Sequence, residues 1–110
     1  MEWNFIENKT QIDDIEKESF TNPIVIFKHS TRCHISRMVL RRFESEFSSQ
    51  EKDKPYFLDL LQHRDISNDI ALHFGVEHQS PQVLVIKDGK AIYNASHENI
   101  EATKLNIFLI

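Results

Sequence analysis

A single cysteine, Cys33, in a chain of 110 residues excludes any internal disulfide and every fold that depends on cross-links. A chain of this length can bury one core without such staples, so one domain over residues 1–110 is expected. Glycine and proline together supply only five positions, which with 40% apolar residues excludes a low-complexity or disordered chain. No stretch approaches the roughly 20 apolar residues of a membrane span. The opening "MEWNFIENKTQIDD" has neither the basic segment nor the apolar run of a secretory signal. A cytoplasmic protein with no membrane partner is expected. There is also no surplus of positive charge, and a net charge of −4 argues against a nucleic-acid partner.

The charge that is present is unevenly placed. The first 20 residues carry six acids against two lysines, whereas Lys28 to Arg42 holds five cations (Lys28, Arg32, Arg37, Arg41, Arg42) and no acid. Cys33 lies inside that basic window.

Hydrophobic spacing sets the expected order of elements. "EWNF" alternates as a short half-buried strand would, and Thr10 with Asp13 has the spacing of a capping box ahead of Ile12, Ile15 and Phe20. "NPIVIFKHS" does not alternate, which predicts a central strand covered on both faces. After Cys33, Ile35, Met38, Val39, Phe43 and Phe47 recur at helical spacing to about residue 49, and "SSQEKDK" follows as a polar loop. "PYFLDLL" predicts a second buried strand, and "RDISNDIALHFGV" a helix that Gly75 ends. "PQVLVIKDGKAIYNAS" is two runs joined by Asp88-Gly89, a hairpin signal. A last helix is expected from about Glu98 to the C-terminus, with Ser96 near its start. Strand and helix alternating, then a hairpin and a final helix, imply an α/β fold with helices flanking a central mixed sheet of four to five strands. That order is thioredoxin-like.

Cys33 falls where a strand gives way to a helix. A lone cysteine is by default an inert, buried filler. A helix N-terminus, however, offers unpaired N–H groups and the positive end of the dipole, and Arg32 and Arg37 add cations; all favour thiolate over thiol. Cys33 is therefore the candidate nucleophile. Ser36 either donates its hydroxyl to the thiolate across one turn or is simply a first-turn serine. His34, if protonated, would help hold the thiolate; otherwise it is an exposed residue without a role. Arg37, Arg41 and Arg42 form either a solvated face or a contact for a partner or substrate. None of the six histidines has the paired spacing of a metal site, so no metal is expected.

"FKHSTRCHISRM", "FLDLLQHRDISNDIA" and "HQSPQVLVIKDGK" together resemble the monothiol bacilliredoxins, the YtxJ-like proteins of the bacillithiol system, within the thioredoxin-like superfamily. The resemblance implies a thiol–disulfide oxidoreductase that removes bacillithiol from client proteins. Bacillithiol is a small thiol with two carboxylates on its malate moiety, and it would act as co-substrate with no tightly bound cofactor. By motif position Cys33 attacks and Ser36 occupies the place of a resolving cysteine. Ser80 and Pro81 match the loop whose proline is cis and faces the reactive cysteine, and Arg32 stands where thioredoxin has tryptophan, which sets ordinary dithiol activity aside. Arg32 and Arg37 are the expected contacts for the anionic thiol. Two other readings stay open: an iron–sulfur carrier like monothiol glutaredoxins, and a non-catalytic binding module of the same fold.

Overall fold

Ile24 to His29, six consecutive buried residues, form the middle of the sheet. The structure, a computed structural model, describes residues 2–47 and 54–109. Its elements are β1 (Asn4–Phe5), α1 (Thr10–Glu18), β2 (Ile24–His29), α2 (His34–Glu46), β3 (Lys54–Asp59), α3 (Arg64–Phe74), β4 (Gln82–Lys87) and β5 (Lys90–Ser96). Two 3₁₀ segments follow, His97–Asn99 and Ala102–Phe108. The strands lie in the order β1-β3-β2-β4-β5. β3 runs parallel to β1 and β2, while β4 is antiparallel to β2 and β5. This is the mixed sheet the sequence implies, with β2 at its centre.

Because side chains alternate across a strand, β2 feeds two cores. Ile24 and Ile26 pack with Ile12 and Ile15 of α1 and Ile66 and Ile70 of α3. Val25 and Phe27 pack with Val39 and Phe43 of α2 and with Leu105. The two polar residues at the end of β2 obey the same alternation. Lys28 therefore faces α3 and His29 faces α2.

Several expectations need correction. Thr10 is not an N-cap: Lys9 precedes the helix, and the Gln11 side chain reaches back to the segment before it, its Oε1 accepting the Glu7 and Asn8 N–H groups at 2.6 and 3.0 Å. Phe20 lies beyond α1 and is exposed, its ring set over Gly89. Ile35 and Met38 are also exposed, so only Val39 and Phe43 of the α2 set are fully buried. Phe47 in an extended conformation ends α2 three residues before the expected limit, and 48–53 of the polar loop lie outside the described residues. The last helix is not α-helical. His97 at φ +56° and Ile100 in an extended conformation interrupt it, and Ala102, Leu105 and Phe108 recur every three residues, which suits 3₁₀ geometry.

The hairpin turn is as expected, with Asp88 and Gly89 both at positive φ. Ser19 anchors it: its carbonyl accepts Asp88 N–H at 3.0 Å and its Oγ accepts Gly89 N–H at 2.8 Å.

Candidate functional site

Cys33 is the N-cap of α2, extended at φ −92° and ψ 121°. Its carbonyl accepts Arg37 N–H at 3.1 Å, which starts the helix, and its own N–H is held by the Ser30 carbonyl at 3.1 Å. Cys33 is half-buried, and among the described residues no side-chain hydrogen bond caps the helix. The first-turn N–H groups are thus left as a positive end beside the sulfur.

Ser36, one turn on, is wholly buried and does not point its chemistry at Cys33. Its Oγ accepts the Ser30 N–H at 3.1 Å and lies 2.8 Å from His29 Nδ1. Burial pushes the His29 imidazole below its ordinary range, an effect partly offset by the Asp59 and Glu44 carboxylates and reinforced by Arg37. The ring is therefore neutral at pH 7, and in the Nε2–H tautomer its Nδ1 accepts a hydrogen bond from the Ser36 hydroxyl, whose oxygen already accepts from Ser30. One hydroxyl thereby ties the start of α2 to the end of β2. Neither reading made from sequence foresaw this role. We expect Ser36→Ala to leave the Ser30 N–H and His29 Nδ1 buried without partners, lowering stability by about 1–3 kcal/mol in urea unfolding; a loss below 0.5 kcal/mol would contradict it.

The other expected site residues distribute as follows. His34 and Arg32 are exposed beside the thiol. Arg37 is exposed, with Nη1 donating to the Thr31 carbonyl at 2.9 Å, so its guanidinium is spent partly on the loop that carries Cys33. Arg42 is tied elsewhere, donating to the carbonyls of Glu98 and Ile100. Ser80–Pro81 is a cis peptide. Pro81 is buried and leads directly into β4, where Gln82 pairs with Lys28 of β2. The cis-proline loop and the Cys33 loop thus meet the same end of the sheet. Ser80 Oγ is buried with no partner among the described residues.

Two residues at this end escaped the sequence reading. His29 counted only as one of six histidines without metal-site spacing, and Lys28 only as one cation of the basic window. Both are at most 4% exposed. Lys28 Nζ donates to the Ser67 carbonyl of α3 at 3.3 Å. Burial, with the nearby Arg64 guanidinium, pulls its ammonium from 10.5 down to about 8. The only signal in the sequence was that the strand pattern, unbroken by alternation, continues to residue 29. Away from this site, Asp13, Glu16 and His73 bring ligand atoms within 4.8 Å of one another, at the far end of α3 from Arg64. His73 Nε2 lies 3.0 Å from Glu16 Oε1 there.

Residues 4–105 match the family model of the monothiol bacilliredoxin BrxC. The chain belongs to the monothiol bacilliredoxin family. Among solved structures, a protein described by its thioredoxin fold matches this bacilliredoxin with 27% identity, 94% of this chain and 89% of that chain covered, and a TM-score of 0.80. Mitochondrial thioredoxin 3 from Saccharomyces cerevisiae follows at 18% identity, 97% and 92% coverage and a TM-score of 0.73. Malassezia sympodialis thioredoxin is similar at 21%, 97%, 87% and 0.70. The last two show the fold alone. Family and fold together give the bacilliredoxin a thiol redox role. No helix among the described residues is long and apolar enough to cross a membrane.

Proposed function

We propose that the chain is a monothiol thiol–disulfide oxidoreductase of the cytosol that removes bacillithiol, or a similar low-molecular-weight thiol, from mixed disulfides with client proteins. The observation that carries this reading is the pairing of a sole thiol at a helix N-cap with a buried hydroxyl, already engaged by His29 and Ser30, at the position where a resolving sulfur would stand.

The chemistry follows from that arrangement. Cys33 thiolate attacks the small-thiol sulfur of the mixed disulfide, the old S–S bond breaks, and the client leaves as a thiolate that takes a proton from water. Cys33 now carries the small thiol. Nothing within the chain can release it, because Ser36 forms no S–S bond. A second small-thiol molecule, as thiolate, attacks the carried sulfur, expels Cys33 thiolate and leaves as the symmetrical disulfide. The balance is one mixed disulfide and one free thiol consumed, one client thiol and one small-molecule disulfide formed. The exposed Ile35 and Met38, in the turns just after Cys33, offer apolar surface to a protein client.

The test is mass spectrometry after treatment with bacillithiol disulfide. Wild type is expected to hold a stable adduct of one bacillithiol on Cys33. Ser36→Cys is expected to lose it to an internal disulfide, since residues three apart at a helix start lie within bridging distance. Absence of an adduct on wild-type Cys33 would overturn the monothiol mechanism.

A further inference from the structure

On the α3 side of the sheet, opposite His29, two cations, Lys28 and Arg64, and the neutral His78 imidazole lie around one serine. Lys28 Nζ donates to the Ser67 carbonyl at 3.3 Å, and Ser67 Oγ lies 2.9 Å from His78 Nδ1. Arg64 opens α3 one turn before Ser67. The groups repel one another: after burial, Arg64 acts against the charged form of Lys28, and Lys28 and Arg64 both act against that of His78. The carboxylate of this turn, Asp65, is exposed and lies toward Lys9, 4.0 Å away. Among the described residues no side-chain hydrogen bond caps α3 at His63, so the positive end of the helix adds to the same field.

This cluster adjoins the cis-proline loop. Gln82 is the cross-strand partner of Lys28, and its Nε2 donates to the Glu77 carbonyl at 3.0 Å. Its Oε1 and the Ser80 Oγ are buried without a partner among the described residues. Two cations that repel each other, on an end of the sheet shared with an idle hydroxyl in the adjoining loop, suit an anion; a carboxylate would offset the repulsion and accept a hydrogen bond from Ser80. Gln82 Oε1 suits a hydroxyl or amide N–H on the same ligand.

We propose that Arg64, His78 and Ser80, with Lys28 beneath them, form a carboxylate subsite for the small-thiol half of the mixed disulfide. The assignment rests on the function proposed above and deepens it. It moves anion recognition from the Arg32 and Arg37 side of Cys33 to the α3 side of the cis-proline. Arg64 is exposed and His78 half-buried, so the anion enters past them, while Lys28 supplies charge from within.

Two measurements test it. The first is the ratio of rates for removing bacillithiol and an uncharged small thiol from one client peptide. Lys28→Met and Arg64→Gln are each expected to lower that ratio about three- to tenfold, and Arg32→Ala and Arg37→Ala to leave it nearer wild type. Repeating it with acidic and neutral client peptides carrying the same small thiol separates the sources: a ratio that follows the peptide's charge means a client carboxylate occupies the site and overturns the assignment. The second is an NMR titration of the His78 ring with L-malate as the probe. Its midpoint is expected to rise in wild type and to stay fixed in Arg64→Gln. Unchanged selectivity in both variants with no response of His78 overturns the subsite. A response of His78 in a chain that removes no adduct would instead keep the subsite and sink the proposed function.

Discussion

Cys33→Ser is expected to bring disulfide exchange down to the uncatalysed rate while the fold persists. The loss is complete because the chain holds no other thiol to take over the attack or accept the transferred group. The fold persists because position 33 asks little of the sulfur. It is a half-buried N-cap in an extended conformation, held by its own backbone through Ser30 and Arg37, and serine is among the residues that cap helices best. Its hydroxyl can accept a first-turn N–H that the thiol leaves open. The check has two readouts on one sample: removal of bacillithiol from a client peptide, and the thermal unfolding midpoint. Residual turnover above the uncatalysed rate would place the chemistry at another residue. An unfolded variant would contradict the N-cap argument instead.

The contrast between Cys33 and its neighbours shows what was legible in the sequence. The position of Cys33 at a strand-to-helix switch follows from a change of hydrophobic period, from the unbroken run of β2 to the three-and-four spacing of α2, and local pattern is where such signals lie. The order of elements along the chain, the central place of β2 and the Asp88-Gly89 turn were readable for the same reason. What the sequence hid depends on contacts between distant segments. Ser36 looked like a partner for Cys33 because they are three apart, but the end of β2 brings His29 Nδ1 to 2.8 Å and claims the hydroxyl. Ile35 and Met38 looked like core because the helical period includes them, yet only one stripe of α2 reaches the sheet. Lys28 and Arg64 are 36 residues apart, and their shared field exists only once α3 has packed over β2.

Buried charge gives the second large expected effect: Lys28→Met should make the protein more stable at neutral pH. Lys28 has no exposed surface, lies on the face that carries Ile24 and Ile26, and receives one long hydrogen bond partner in return for desolvation. Its value falls from 10.5 to about 8 on folding. At about 1.4 kcal/mol per pH unit, that fall sets about 3 kcal/mol against the charged form in the folded state. The sign follows from proton counts. Between about 8 and 10.5 the unfolded chain binds more protons at this site than the folded one, so wild-type stability should rise with pH across that window, and below it the full penalty is present. Methionine has a similar length, no charge and an adaptable shape, and replacing buried ions by apolar groups is known to stabilise by up to about 4 kcal/mol. Offsetting this, the bond to the Ser67 carbonyl is lost, worth about 1 kcal/mol. A net gain of about 1–3 kcal/mol at pH 7 is therefore expected in urea unfolding, together with loss of the rise between pH 8 and 10.5. If Lys28→Met is less stable than wild type at pH 7 and keeps the same slope, Lys28 is not a buried, strained cation. If it is more stable and loses its preference for the charged small thiol, the same ammonium both weakens the fold and recognises the anion, which is the trade expected of a functional charge held inside a core.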